Sequence, residues 1–352
     1  KKHELFEFRA KVSRLTLVLL KTYKFSRTNV CVIRRRILKY GALTMTMSNE
    51  YFIDNLTKNK YNNDIDEYFS LQKETLDFSN KFIENSKTIA QKHLKLDFYK
   101  IDNQIKHEEG FVVFRNLPLD NCLPETPTNG LRPQSKEQTS EAVILGIIRA
   151  LNYSPFSYLQ EKNGDLIQEI SPIQKKESTK SSNGRVELDY HTDAAFLKRK
   201  IRPNVLALYC LKNECKTPTQ IVQIRSILEH LTDFEVHELM KKNFVFSPPS
   251  TFTNVAPCKV AVLYKHFDKI EITISSYNVK ATSVSANNAL VKLREIAKKH
   301  SVAIHARSGD LIVFNNLRCL HGRGAIKSNR WLQRVYGSAH LDSGQVLNLN
   351  IN

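Results

Sequence analysis

The chain of 352 residues contains no Cys-x-x-Cys pair, no long apolar run and no internal repeat. Its six cysteines are scattered, and Cys210 and Cys215 are separated by four residues without a second pair, which argues against a zinc site. No apolar stretch approaches the ~18 residues that a membrane-spanning helix requires. The scattered cysteines indicate reduced thiols, and we therefore expect a cytoplasmic protein with no membrane span.

Positive charge is abundant but unevenly distributed. The chain has 53 Lys and Arg against 35 Asp and Glu, a formal net charge of +18. Residues 1–46 alone contain twelve Lys and Arg and only two acidic residues, a net charge of +10. No recognisable nucleic-acid-binding module accompanies this charge, so we expect no nucleic-acid partner.

The first 46 residues differ from the rest in composition. They are basic, they carry a short apolar patch at residues 15–20, and they include Met45, just before Met47 and the globular patterning of SNEYFIDNL. A targeting extension, a membrane-surface helix and upstream sequence outside the natural product are the alternatives for this basic leader. We favour the last and expect residues 47–352 to form a single domain.

Helical spacing of apolar residues dominates the first half of the chain, and short strands dominate the second. The predicted helices are 66–94, 135–153 and 285–300, the last with Ser285 as its N-cap. The predicted strands before residue 186 are 110–120 and 164–173. The polar stretch QKKESTKSSNG, residues 174–184, is predicted to be a loop. This order predicts an α+β fold with a double-stranded β-helix (jelly-roll) core and flanking helices.

The segment LDYHTDAAF, residues 188–196, places a histidine and an aspartate two apart in an alternating strand pattern. Residues two apart in a strand project to the same face, so the imidazole of His191 and the carboxylate of Asp193 point the same way. The pair is either an ordinary polar face or two ligands of a metal.

A histidine two residues before an acidic residue also occurs at other places in the chain, and the requirements of a metal site distinguish among these pairs. The His-x-acid pairs are His107/Glu109, His191/Asp193, His266/Asp268 and His340/Asp342. A facial metal site needs a second histidine from another strand. A dicarboxylate co-substrate also needs an arginine nearby. Only His191 and Asp193, combined with His321 and the following Arg330 and Arg334, meet all these requirements with enough sequence between them for a barrel.

The same residues and their surroundings resemble the iron(II)/2-oxoglutarate dioxygenases of the taurine dioxygenase superfamily. Within these they are similar to the clavaminate synthase-like group, which includes oxygenases of free asparagine and arginine. The similarity rests on LDYHTDAAF, NVLALYCLKN, GDLIVFNNLRCLHGR and RWLQR, with weaker matches in GFVVFRNLPLD and NGDLIQEISPI. It implies Fe(II), 2-oxoglutarate and O2 as cofactor and co-substrates. The implied reaction hydroxylates an unactivated C–H bond of a free L-amino acid or amino-acid-like molecule, with release of succinate and CO2.

By position, the resemblance implies that His191, Asp193 and His321 are the catalytic iron ligands. Arg330 resembles the arginine that pairs with the far carboxylate of 2-oxoglutarate. Arg334 resembles either a second contact to the co-substrate or a supporting residue. An aspartate at the carboxylate position also argues against a halogenase, whose iron needs that position vacant for chloride.

Further residues carry weaker implications. Thr219 falls where relatives place a hydroxyl against the co-substrate, with Thr217 as the alternative. Gln168 and Ser181 match positions that often contact amino-acid substrates. Asp193 departs from relatives acting on free amino acids, which usually carry glutamate there, so other substrates stay open: a sulfonate, a peptidyl residue or a secondary metabolite. An inactive barrel serving as a binding module is the less favoured alternative.

Overall fold

Two long strands form the centre of the fold. In Val205–Asn213, Leu206 and Leu208 belong to one buried apolar cluster, whereas Ala207 between them belongs to another. This alternation follows from the two-residue period of a strand that is covered on both faces. Arg330–Ser338 pairs antiparallel with this strand along nearly its whole length.

The computed structural model describes residues 49–70, 78–249, 252 and 255–349. The predicted leader, residues 1–46, lies outside the described residues. The helices are α1 (Asn55–Ser70), α2 (Asn80–Leu94), α3 (Phe98–His107), α4 (Thr139–Ala150), α5 (Ile224–Leu228), α6 (Asp233–Met240) and α7 (Val284–His300). The strands are β1 (Glu50–Phe52), β2 (Phe111–Arg115), β3 (Ser154–Tyr158), β4 (Gln168–Ile170), β5 (Leu188–His191), β6 (Val205–Asn213), β7 (Thr219–Gln223), β8 (Phe244–Phe246), β9 (Cys258–Val260), β10 (Leu263–His266), β11 (Lys269–Ile272), β12 (Val279–Ala281), β13 (Val302–Ile304), β14 (Leu311–Asn315), β15 (Cys319–Arg323), β16 (Arg330–Ser338) and β17 (Gln345–Leu347).

Two sheets dominate the described part of the chain. The larger, eight-stranded sheet has the order β1-β2-β14-β6-β16-β3-β17, and β4 also pairs with β16. Its outer pairs β1–β2 and β3–β17 are parallel, and its other pairs are antiparallel. The smaller sheet has the order β13-β7-β15-β5 and is antiparallel throughout. Mixed sheets with separate helices agree with the predicted α+β class.

Apolar clusters cover both faces of the larger sheet. One cluster joins Leu208 and Phe314 of that sheet to Ile221 and Leu320 of the smaller sheet. The other cluster packs helices α2 and α4 against the opposite face of the larger sheet, where Trp331 is completely buried. No helix within the described ranges has both the length and the apolar character needed to cross a bilayer.

The helix boundaries differ from the sequence-based predictions, most clearly in the first predicted helix and in α7. The single helix predicted over 66–94 is wrong in extent: α1 begins at Asn55 and ends at Ser70, and α2 begins at Asn80, where the hydroxyl of Ser79 accepts a hydrogen bond from Phe82 N (3.4 Å). Most residues of α1 are polar, so its sequence shows no clear helical spacing of apolar residues. Helix α7 is capped by Ser283, whose hydroxyl accepts from Ala286 N (3.2 Å), and not by Ser285 as predicted.

Candidate metal centre

His191 and His321 lie opposite each other on the paired strands β5 and β15 of the smaller sheet. Their ring centroids are 4.2 Å apart. Asp193 follows His191 just beyond the end of β5 and is almost completely buried. One donor atom from each of the three residues lies within 4.8 Å of the others. The structure therefore brings together the His–Asp–His set that the sequence predicted.

The orientation of each group favours metal binding over mutual hydrogen bonding. His191 Nδ1 lies 2.8 Å from the carbonyl oxygen of Asp189, a bond in which only Nδ1 can donate. The other nitrogen, Nε2, is then the unprotonated one, and it lies 3.3 Å from Asp193 Oδ1. His321 Nε2 lies 3.5 Å from the same oxygen. Three donor atoms thus converge on one point.

Asn316 fixes the backbone of the aspartate. Its Oδ1 accepts a hydrogen bond from Asp193 N (2.8 Å), and its Nδ2 donates to Asp193 O (3.1 Å) and to Pro203 O (3.2 Å). Ala194, directly after the aspartate, has φ of +55°, a conformation that alanine rarely adopts. The bonds to Asn316 hold the chain in this unfavourable turn, as expected where a side chain must point in one direction.

Electrostatics keep Asp193 and His321 in the protonation states in which they bind metals. Burial alone would raise the pKa of Asp193, but the positive charge of Arg334 outweighs it and holds the pKa of this carboxylate well below its usual range. Burial and the neighbouring His191 lower the pKa of His321 to about 3. At neutral pH the aspartate is therefore ionised and His321 is neutral, the forms in which both bind metals.

Arg334 holds the second oxygen of the aspartate. Its Nη1 donates to Asp193 Oδ2 at 2.6 Å, its Nη2 donates to Glu161 Oε1 at 2.6 Å, and its Nε donates to Gln168 Oε1 at 3.1 Å. The hydroxyl of Tyr336 lies 3.2 Å from Asp193 Oδ2. Because Oδ2 is occupied in this way, Oδ1 is the oxygen that faces the imidazoles. Gln168, predicted as a substrate contact, is engaged by Arg334.

Arg330 has a different environment. It is buried, its Nη2 donates to Thr219 Oγ1 at 3.3 Å, and within the described residues its Nε has no hydrogen-bond partner. Within the same residues, no carboxylate forms an ion pair with it. Burial lowers the pKa of Arg330, whereas Tyr336, Glu161 and Asp193 outweigh burial and raise the pKa of Arg334. Both arginines were predicted at the site, but among the described residues only Arg334 is paired with carboxylates.

One pocket joins Arg330 to the histidines. Its lining residues are Ile170, Ser182, Leu188, His191, Leu208, Thr219, His321, Gly322, Arg323, Arg330, Leu332 and Arg334. None of these side chains is acidic, and three are guanidinium groups. Such a pocket fits an anionic ligand beside the histidine pair.

Two residues at this site were missed in the sequence. Arg323 is buried, and its guanidinium donates to the carbonyl oxygens of Val186 (2.6 Å) and Ser181 (3.0 Å), which ties the 174–184 loop to β15. Because residues two apart in a strand share a face, the position of Arg323 two residues after His321 could have indicated that it lies at the site. Glu161 lies in an irregular turn with no motif to mark it. The hydroxyl of Ser181, predicted as a substrate contact, is 2.9 Å from Thr179 Oγ1, and its neighbour Ser182 lines the pocket.

Comparisons with known proteins agree with this geometry. The family model described as taurine catabolism dioxygenase TauD, TfdA family matches residues 93–336. L-asparagine oxygenase of Streptomyces coelicolor is 27% identical over 238 residues, which cover 65% of this chain and 71% of that protein. L-lysine 4-hydroxylase of Niastella koreensis is 28% identical over 239 residues, 62% of each chain.

Solved structures show the same fold. Asparagine oxygenase in complex with Fe(II), 2S,3S-3-hydroxyasparagine and succinate superimposes with a TM-score of 0.74 and 22% identity, covering 83% of this chain and 94% of that one. The non-heme iron oxygenase OrfP in complex with Fe and alpha-ketoglutaric acid gives a TM-score of 0.71 and 19% identity, covering 82% and 94%.

Proposed function

Because the chain belongs to the taurine catabolism dioxygenase TauD, TfdA family, we propose that it is an iron(II)- and 2-oxoglutarate-dependent oxygenase that hydroxylates a free amino acid or an amino-acid-like small molecule. The observation that carries the proposal is the combination in one pocket of His191 and His321 with Arg330, a buried guanidinium without an acidic partner among the described residues. The similarity to an L-asparagine oxygenase and to an L-lysine 4-hydroxylase supports an amino-acid substrate.

The donor set fits the proposed metal. Two imidazoles and one carboxylate with open positions are the ligand set of mononuclear non-heme iron(II) oxygenases. His191 Nε2, His321 Nε2 and Asp193 Oδ1 would hold the ion. When bound, iron(II) supplies the activation of O2, which is coupled to oxidative decarboxylation of 2-oxoglutarate to succinate and CO2 and to hydroxylation of the substrate.

Arg330 and Thr219 would bind the 5-carboxylate of 2-oxoglutarate. A guanidinium that is buried without a counter-ion is costly, and a carboxylate ligand removes that cost while accepting two hydrogen bonds. Arg334 is already bound to Asp193 and Glu161, so its role in this proposal is to support the metal ligand. Arg334 lines the same pocket as Arg330 and would therefore affect the orientation of the co-substrate only indirectly.

The substrate would enter from the side of the 174–184 loop. Ser182 lines the pocket and Ser181 precedes it, which supports Ser181 as a substrate contact. Gln168 lies on the same face of the larger sheet as Arg334, which supports a contact through its amide. These two assignments complete the proposed site.

The wider setting of the enzyme also belongs to the proposal. The two main sheets would be the halves of a jelly roll, formed by residues 47–352 as one domain with residues 1–46 outside it. A cytoplasmic location is supported by the described cysteines, all of which are free thiols.

Succinate formation tests the proposal. The protein is incubated with 2-oxoglutarate, Fe(II) and ascorbate across free L-amino acids that include asparagine, lysine and arginine, with His191→Ala as the inactive control. Stimulation by one amino acid supports the full proposal. Slow turnover that no amino acid stimulates retains the oxygenase but rejects the amino-acid substrate. Absence of turnover in a protein that binds both iron and 2-oxoglutarate overturns the catalytic proposal.

A further inference from the structure

Glu161 lies on the far side of Arg334 from the metal centre. Its Oε1 accepts from Arg334 Nη2 at 2.6 Å, and its Oε2 is 2.9 Å from the hydroxyl of Tyr336. Both of these partners also contact Asp193 Oδ2, at 2.6 and 3.2 Å respectively. Glu161 therefore touches each of the two groups that hold the aspartate, without touching the aspartate.

The backbone that presents Glu161 is strained. The next three residues, Lys162, Asn163 and Gly164, have φ values of +50°, +56° and +83°. Successive left-handed residues are unfavourable unless the surroundings hold them. Here Ser157 Oγ donates to Gly164 O at 2.7 Å, and Lys162 Nζ donates to Gly130 O at 3.1 Å. A turn held in this way directs the preceding side chain toward Arg334.

The charges explain why a second carboxylate is useful at this position. Arg334 is buried, and a buried guanidinium must be matched by acceptors on each of its donor edges. If Glu161 were absent, Arg334 Nη2 would lose its charged acceptor and keep only the neutral amide oxygen of Gln168. Arg334 would then be free to rotate away from Asp193 or to bind a carboxylate of an incoming ligand. Either change would release Asp193 Oδ2.

We infer that Glu161 is a positioning residue for the metal ligand Asp193. By holding Arg334, it keeps Oδ2 occupied and leaves Oδ1 as the single oxygen that faces His191 and His321. It also keeps Arg334 from competing with Arg330 for the co-substrate. The inference rests on the proposed function, because it assigns Glu161 a role toward the iron site.

Cobalt(II) binding tests this inference without turnover. The affinity for Co(II) is measured by calorimetry, and the geometry of the bound ion by its visible absorption. Glu161→Gln preserves the shape and removes the charge, whereas Asp165→Asn alters an exposed carboxylate on the same turn and serves as the control. We expect Glu161→Gln to weaken Co(II) binding by about 10- to 100-fold and to alter the absorption. We expect Asp165→Asn to match the parent protein.

The outcomes separate the two hypotheses. If the parent protein binds Co(II) and Glu161→Gln binds it equally well with the same absorption, the positioning role is wrong while the proposed function stands. If the parent protein fails to bind Co(II), the proposed metal site is overturned, and the role of Glu161 with it. If Glu161→Gln fails to fold, Glu161→Asp replaces it, because its shorter side chain retains the charge but reaches only one partner. Unchanged Co(II) affinity in a folded Glu161→Asp protein would also overturn the role.

Discussion

His191 and His321 come from strands that are separated by 130 residues of sequence but paired directly opposite each other, with ring centroids 4.2 Å apart. Their spacing is therefore set by a strand pair and not by a flexible loop. A centre built on paired strands is held more rigidly than one built on loops. The predictions below follow from this arrangement and from the contacts around it.

Replacing His191 by alanine should abolish metal binding without unfolding the protein. The residue lies at the end of β5, and its side chain is partly exposed, so truncation leaves no large cavity. Loss of the hydrogen-bond partner of a metal ligand can weaken metal binding by about 100-fold. Loss of the ligand itself should weaken Co(II) binding by more than this. Calorimetry and a thermal melt of the metal-free protein measure the two effects. Wild-type affinity in the variant would exclude His191 as a ligand.

Arg330→Met should stabilise the ligand-free protein and weaken 2-oxoglutarate binding. The substitution removes a buried guanidinium that has no counter-ion among the described residues, and it retains apolar bulk, so the free energy of unfolding should rise by about 1 kcal/mol or more. Affinity for 2-oxoglutarate in the metal-loaded protein should fall by about 2–5 kcal/mol, because the carboxylate loses its partner. Urea unfolding and calorimetry measure these quantities. A destabilised variant with unchanged affinity would assign Arg330 a purely structural role.

Arg334→Met is the matched substitution with the opposite expected effect on stability. It leaves the buried Asp193 and the partly exposed Glu161 without their shared counter-ion. Breaking a buried ion pair from one side typically costs about 3–5 kcal/mol, so the free energy of unfolding should fall by that order. Urea unfolding under the conditions used for Arg330→Met gives the comparison. Equal effects of both substitutions would contradict the different environments of the two arginines.

Glu169 should make stability depend on pH. Burial and the nearby Glu141 raise its pKa to about 7, although hydrogen bonds from Gln333 and Trp331 oppose the rise. The folded state then binds more protons than the unfolded state between about pH 4.5 and 7, so the free energy of unfolding falls as the pH rises through this window. The slope is about 1.4 kcal/mol per pH unit at most.

The variant Glu169→Gln isolates this effect. Glutamine retains the size of the side chain and one acceptor oxygen but cannot ionise, so the variant carries no buried charge at this position at high pH. Urea unfolding at several pH values should give a flatter profile for Glu169→Gln and greater stability than the parent at pH 8. Parallel profiles would show that Glu169 does not titrate in this window.

The chemically specific parts of the site were predictable from the sequence. His191, Asp193 and His321 could be selected because their spacing and the following arginines satisfy several requirements together. The helix predicted over 285–300 was found at Val284–His300, with Leu290, Leu293 and Ile296 among its buried residues.

The sequence did not predict which of the two arginines is paired with acidic residues. Arg330 and Arg334 lie four apart on one strand, and nothing in RWLQR tells which of them is paired with acids. That difference depends on Glu161, which a strained turn brings from a distant part of the chain. The helices α5 and α6 were missed because they span only five and eight residues, too few to show an apolar stripe, although Thr232 and Glu235 form a capping box at the start of α6.

The hydrogen bonds of Asn316 have a consequence for how the site tolerates motion. Asn316 stands between β14 and β15, the strand that carries His321, and it binds the backbone of Asp193. Two proposed ligands from distant parts of the sequence thus share one point of attachment. We therefore expect the separation of Asp193 and His321 to stay the same when a substrate enters, so that the metal stays bound between catalytic cycles.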